Sequence, residues 1–231
     1  LRYEDALTIA DQHSVYKTGA KEIAAQEGYA VTFMAKYDER EGNSCHVHLS
    51  LRDAAGRAVF AERPAVFEHW LAGQLACLRE LTLLLAPNVN SYKRYVDGSF
   101  APTAVAWGRD NRTCALRVVG HGPSLRMEHR VPGGDMNPYL GIAALVAAGL
   151  HGVERELPLE PAYQGNAYHS GRSRVPGTLR DAREAFAGGE VARAAFGDEV
   201  VEHYLNAARV EIEAFDAAVT DWERVRGFER L

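Results

Sequence analysis

RMEHRVPGGDMNPYLGIAALVAAGL, residues Arg126 to Leu150, decides the fold class of this chain. Arg126, Glu128 and Arg130 stand two apart, so in a strand they share one face. Asn137-Pro138 then opens a helix, with Pro in the first turn, and the small-residue run from Tyr139 to about Val153 predicts a closely packed, buried element. A charged strand face followed by a buried helix predicts an α+β domain.

Working outward, Thr103 to Trp107, Cys114 to Val119 and Leu125 to Val131 are short strand candidates separated by Gly, Asp and Asn. Pro64 starts a helix running to about Leu85, with Leu71, Leu75, Leu78 and Leu81 as its apolar stripe, and Pro87-Asn88 breaks it. Near the start, Ala6, Ile9, Ala10, Val15, Ala20, Ile23 and Ala24 predict an amphipathic helix from about Tyr3 to Glu27, closed by Gly28. Tyr29 to Lys36 and Ser44 to Leu51 read as two strands of a hairpin around the charged loop Tyr37 to Asn43. Beyond Val153 the chain reads as helices joined by Gly/Pro loops.

A chain of 231 residues, 47% hydrophobic, can bury a core as one domain. Its formal net charge of -5 argues against nucleic acid as a partner, because phosphate backbones need a generally basic surface and the cations here are local. Cys45, Cys77 and Cys114 form no C-x-x-C pair, which fits a reducing cytoplasm. The apolar run Leu81 to Ala86 is too short to span a membrane. The opening Leu1-Arg2-Tyr3 lacks an initiator Met, which points to a piece cut from a longer protein.

Three Arg-rich stretches supply the chemistry: Asn90 to Arg94, Asn111 to Arg117 and Arg126 to Arg130. Guanidinium groups bind phosphate and carboxylate in a planar, bidentate way, so their clustering in an acidic chain predicts a small, multiply charged anionic substrate. His46 and His48 point the same way from a strand. That spacing fits a metal or phosphate site and equally a pair satisfied by backbone or water. The Arg126, Glu128, Arg130 face is likewise open to two readings, an ion-pair ladder or a ligand site; in the second, Glu128 and His46 hold a hard cation.

These motifs together resemble the C-terminal catalytic domain of the glutamine synthetase family, whose guanido-kinase-like fold implies a curved antiparallel sheet with the Arg and His residues on its concave face and helices behind it. GNSCHVHLSL (Gly42 to Leu51) is similar to that family's N-G-S-G-M-H-x-H-x-S, and NSYKRYVDGSFAP (Asn90 to Pro102) to its N-S-Y-K-R-L-x-P-G-x-E-A-P. WGRDNRTCALRV (Trp107 to Val118) and the Arg126 to Leu150 stretch resemble its ARNRSASIRIP and RIEVRFPDPAANPYL segments. The resemblance implies His46 and Glu128 as metal ligands for Mg2+ or Mn2+, and His48, Ser50, Arg112, Arg117 and Arg126 at ATP. It implies Gly42, Arg94 and Arg130 at the substrate glutamate, with Arg94 and Arg112 as the catalytic arginines. The implied reaction forms γ-glutamyl phosphate from ATP and glutamate, and an amine then displaces phosphate. A homo-oligomer, a dodecamer of two hexameric rings, comes with the family.

The chain departs from the pattern in three places. Phe100 stands where the family's flap carries the glutamate that draws and deprotonates ammonium, so an organic amine such as a polyamine or ethanolamine is expected over ammonia, through apolar or cation–π contact. Tyr168 falls where some bacterial members carry an adenylylated tyrosine; a surface-loop tyrosine is the other reading. The family's N-terminal β-grasp domain and further metal carboxylates have no counterpart in residues 1 to 231, so these residues are expected to be inactive alone. Two other readings are a non-catalytic member of the lens-protein kind, which would be expected to lose ligands, and a phosphagen-kinase-like transferase. An acid-stable phosphorylated product would mark the second.

Overall fold

The structure, a computed structural model, describes Arg2 to Phe228 and Arg230. Helix α1 (Ala6–Gln26) starts where the Asp5 carboxylate accepts from the N–H groups of Leu7 and Thr8, and ends before Gly28, whose φ of +78° turns the chain away. Strand β1 (Val47–Leu49), the one-turn helix α2 (Val59–Glu62) and the long helix α3 (Pro64–Leu85) follow. Then come β2 (Trp107–Arg109), β3 (Leu116–Val119) and β4 (Arg126–His129). Helix α4 (Pro138–Glu154) is capped by the Asn137 side chain, and α5 (Leu179–Ala187), α6 (Glu190–Phe196), α7 (Asp198–Ala217) and α8 (Asp221–Phe228) complete the chain.

The expected α+β class holds, but the sheet is mixed. Its order is β1-β4-β3-β2; β4 runs antiparallel to β1 and β3, whereas β2 and β3 are parallel. A strand as short as β2 spans only about 10 Å, so the loop 110–115 returns the chain to its beginning without a helical crossover. The strand predicted over Thr103 to Trp107 starts only at Trp107. Ahead of it, Val105 N–H donates to Ser173 O at 2.8 Å and Val175 N–H to Thr103 O at 3.1 Å, so this segment pairs with the chain far downstream.

The hairpin predicted across Tyr37 to Asn43 does not form. Of its second arm, Val47–Leu49 becomes β1 and pairs with β4. The first arm forms no strand: Tyr29, Val31 and Met34 are exposed, and the Asn90 side chain takes both backbone groups of Lys36, at 2.9 and 2.8 Å. One amide side chain thereby does the work of a partner strand.

Alternation places Met127, Leu116 and Val118 in the core and leaves Arg126, Glu128 and Arg117 on the other face. The same core takes in Trp70, Leu71, Leu78, Leu81 and Leu85 of α3 with Ala144, Leu145 and Ala148 of α4. Helices α3 and α4 meet at glycine: a Cβ on Gly152 would fall on the His69 carbonyl and 2.7 Å from Cα of Gly73, and one on Gly149 would enter the Trp70 ring. The small-residue run of α4 thus permits contact between helix backbones. Gly152→Ala is expected to lower stability by about 1–3 kcal/mol, read as a lower urea midpoint with unchanged m-value.

Candidate functional site

Glu128 is the centre of the polar face. Sheet register sets it opposite His48 of β1 on one side and Arg117 of β3 on the other. Its carboxylate, in a residue only 3% exposed, accepts at Oε1 from Arg130 (2.8 Å) and lies 3.0 Å from His46 Nδ1, while Oε2 accepts from Arg117 at 2.9 Å. His48 Nε2 is 3.8 Å from Oε1, and Arg126 Nε donates to His48 Nδ1 at 3.2 Å. His46, His48, Arg117, Arg126, Glu128 and Arg130 therefore form one connected cluster. Burial alone would raise the Glu128 pKa, but hydrogen bonds from His46 and Arg117 and the charge of Arg130 outweigh it and hold the pKa at about 2.

Arg94 and Gly42 lie beside this cluster. Arg94, also buried, donates to Val131 O, next in sequence to Arg130, and sits 5.1 Å from the Tyr95 ring. Gly42 is in close contact with it: a Cβ there would be 2.5 Å from Arg94 Cγ. The Nε atoms of Arg94 and Arg130 are both buried with no hydrogen-bond partner among the described residues. Buried guanidinium donors left unfilled are costly, and an anionic ligand would satisfy them.

On the other side of Glu128 a cavity of about 680 Å³ is bordered by Phe100, Arg109, Asp110, Arg112, Thr113 and Arg117. A second hollow, of about 340 Å³, shares Arg109, Asp110 and Arg117 and reaches His48 and Arg126. Together they make a groove from Phe100 to Arg126 whose guanidinium groups outnumber its carboxylates. Arg112 points no hydrogen bond at any described residue, whereas Arg117 is also held by Asp110. Ser50 is less connected; among the described residues its hydroxyl meets only that of Tyr3, at 3.4 Å.

Arg109, Asp110 and Thr113 were not singled out from the sequence, although they lie inside the quoted WGRDNRTCALRV motif. The legible signal was Asp110 beside a strand end, since a φ of +48° is a turn conformation that Asp adopts more readily than most residues. Phe100 has a φ of +59°, strained for an aromatic residue; its carbonyl accepts from Arg130 at 3.2 Å. Tyr168 is not a free surface side chain: it is half-buried, its hydroxyl donates to Ala101 O at 3.2 Å, and burial pushes the phenol pKa up.

A buried carboxylate, a half-buried imidazole and a groove of arginines give this site the chemistry of anion binding. The chain belongs to the glutamine synthetase family: residues 1–226 match the model described as "Glutamine synthetase, catalytic domain", a family that uses ATP and divalent metal ions. It is 66% identical over 233 residues to a gamma-glutamylethanolamide synthetase of Streptomyces coelicolor, covering 100% of this chain and 50% of that protein. It is 41% identical to a glutamate–isopropylamine ligase of a Pseudomonas species, over 98% of this chain and 52% of that one. Among solved structures, GmaS in complex with ADP superposes with a TM-score of 0.90 at 32% identity, covering 99% of this chain and 56% of that one. The chain spans about half the length of the curated relatives it matches.

The folded pKa of Glu128 lies below its ordinary 4.5, so its contribution is complete above pH 4.5 and is lost as pH falls toward 2. Glu128→Gln is expected to unfold about 3 kcal/mol more easily at neutral pH, since Arg130 loses its carboxylate and Arg117 keeps only Asp110. The gap from the wild type should close between pH 4.5 and 2 in urea titrations; a gap that stays constant there would show the carboxylate charge to be unimportant.

Proposed function

We propose that this domain serves an ATP-dependent ligase that joins glutamate to an organic amine through γ-glutamyl phosphate. The observation that carries the amine preference is Phe100, an exposed aromatic side chain bordering the same cavity as Arg112 and Arg117, at the position where the family resemblance puts an ammonium-binding glutamate. An aromatic ring offers an alkylammonium apolar contact and cation–π attraction, but it cannot take a proton from ammonium. The names of the ethanolamide and isopropylamine relatives, and of a gamma-glutamylputrescine synthetase of Escherichia coli at 34% identity, support the same reading.

The residues divide the work by charge. Arg94 and Arg130, whose Nε donors are unfilled, hold the glutamate carboxylate against the loop containing Gly42. Arg112 and Arg117 face the transferred phosphoryl group, and His48, Ser50 and Arg126 hold the rest of the nucleotide. Two anions must be brought together, and fixed guanidinium groups cancel their repulsion with little reorganisation at the moment of reaction. Arg94 and Arg112 are the catalytic arginines in this scheme, one orienting the attacking carboxylate and the other stabilising charge on the phosphoryl oxygens.

The donor set also fits a divalent cation. His46 Nδ1 and Glu128 Oε1 are 3.0 Å apart, the separation of neighbouring ligands in an octahedron with bonds of about 2.1 Å. Among the described residues no group of three or more His, Cys, Asp or Glu side chains is arranged to hold a metal ion, so this pair would be part of a larger ligand set. A bound Mg2+ or Mn2+ would supply charge neutralisation at the phosphates. The family also implies a homo-oligomer of two stacked hexameric rings, and the three cysteines without a C-x-x-C pair fit a cytoplasmic location. No helix among the described residues is long and apolar enough to cross a membrane.

The test uses the natural protein at full length: ADP release with ATP, Mg2+ and glutamate, scanned over ammonium, ethanolamine, putrescine and spermine. Turnover with an organic amine well above that with ammonium is expected; efficient ammonium turnover would make it a true glutamine synthetase, and none at all a non-catalytic member. Phe100→Glu is expected to shift selectivity toward ammonium by roughly tenfold or more, within the range a positioned acid–base group contributes.

A further inference from the structure

Tyr168 has a part in this site that the residue pattern does not assign. It lies in the 3-10 turn Ala167–His169, just beyond the stretch Ala162 to Gly165 that borders the same cavity, and two residues of that turn are tied to the groove. On one side the Tyr168 hydroxyl donates to Ala101 O at 3.2 Å, one residue beyond Phe100. On the other, Ala167 N–H donates to the Thr113 hydroxyl at 2.9 Å, and that hydroxyl donates to Asn111 Oδ1 at 2.7 Å. Asn111 in turn donates to Gly165 O at 2.9 Å, closing the loop around Arg112.

The flap segment needs such a tie. Phe100 is held at φ +59°, a region that disfavours a bulky side chain by about 1–3 kcal/mol unless its neighbours fix it. Within the flap, Ser99 supplies only local bonds, to Val96 O at 2.6 Å and from Ala101 N–H at 3.3 Å. The longer-range anchors on the carbonyls of Phe100 and Ala101 are Arg130, donating to Phe100 O at 3.2 Å, and Tyr168, donating to Ala101 O. Arg130 belongs to the Glu128 cluster and the Tyr168 turn to the Arg112 loop, so the flap is gripped from both halves of the groove.

We propose that Tyr168 is a positioning residue for acceptor choice: its hydroxyl pins the flap that presents Phe100, and Thr113 makes that pin continuous with the loop carrying Arg112. The inference rests on the amine-ligase reading given above. It predicts that the acceptor, and not glutamate, feels the loss of the Tyr168 hydroxyl. It also predicts that Tyr168 and Thr113 act as one unit.

The experiment compares the full-length natural protein with its Tyr168→Phe, Thr113→Val and doubly substituted forms. Two readouts are taken: KM and kcat for ethanolamine, ammonium, glutamate and ATP, and hydrogen–deuterium exchange over residues 96–103. Tyr168→Phe is expected to raise the KM for ethanolamine about three- to tenfold, the effect of one neutral hydrogen bond, with the KM for glutamate nearly unchanged and faster exchange in the flap. The double form should be no worse than the poorer single one, since both cut the same tie. Equal losses for glutamate and amine, or flap exchange unaltered in Tyr168→Phe, would overturn the proposal while leaving the ligase reading intact. If the unsubstituted protein joins glutamate to no amine, the ligase reading falls and the acceptor role with it, and the exchange measurement still decides whether Tyr168 pins the flap.

Discussion

An ionised carboxylate taken out of water must be paired, and Glu128 meets that requirement with Arg117, Arg130 and His46 at once. The dependence runs both ways. Without a carboxylate between them, the guanidinium groups of neighbouring strands would repel one another across a sheet whose adjacent strands are only about 5 Å apart. Glu128 joins Arg117 to Arg130, and the antiparallel register of β4 with both neighbours sets it between Arg117 and His48. Among the described residues Arg94 Nε and Arg130 Nε have no partner, which leaves them available for a ligand.

That polar face is stable because the opposite face is closely packed. Met127 and Leu116 have no exposed surface, and they share a core with α3 and α4. Glycines at the α3–α4 contact let the helix backbones touch, which leaves little room for adjustment beneath the strands. Gly108 and Gly42 do a different job on the functional side. A Cβ on Gly108 would be 2.8 Å from Asn111 Cβ and 2.9 Å from Tyr163 O, and one on Gly42 would strike Arg94. These two absences of a side chain allow loops to close over the arginines.

The flap is held by a different balance. Phe100 accepts an unfavourable backbone conformation because Arg130 and Tyr168 grip the peptide carbonyls at and after it. Its ring remains largely exposed at the border of the cavity. A rigid backbone carrying an exposed aromatic ring is suited to reading the apolar part of a ligand, since the ring does not have to be ordered when the ligand arrives.

Much of this was legible from local pattern. The helix predicted from Pro64 to Leu85 has those bounds, the Asn137-Pro138 cap opens α4, and the two-residue spacing of Arg126, Glu128 and Arg130 does put them on one face. His46 and His48 do converge, on Glu128. These features follow from caps and from periods of 2 and 3.6, which act over a few residues and are written in the chain itself. Pairing across the fold is not. β1 pairs with β4 and not with its predicted hairpin partner, whose Lys36 is held by the Asn90 amide, and β2 lies parallel to β3 because both strands are short enough for a loop to return between them. The tie from Tyr168 to Ala101 joins residues 67 apart. No local period encodes such a distance; it exists only once the chain has closed on itself.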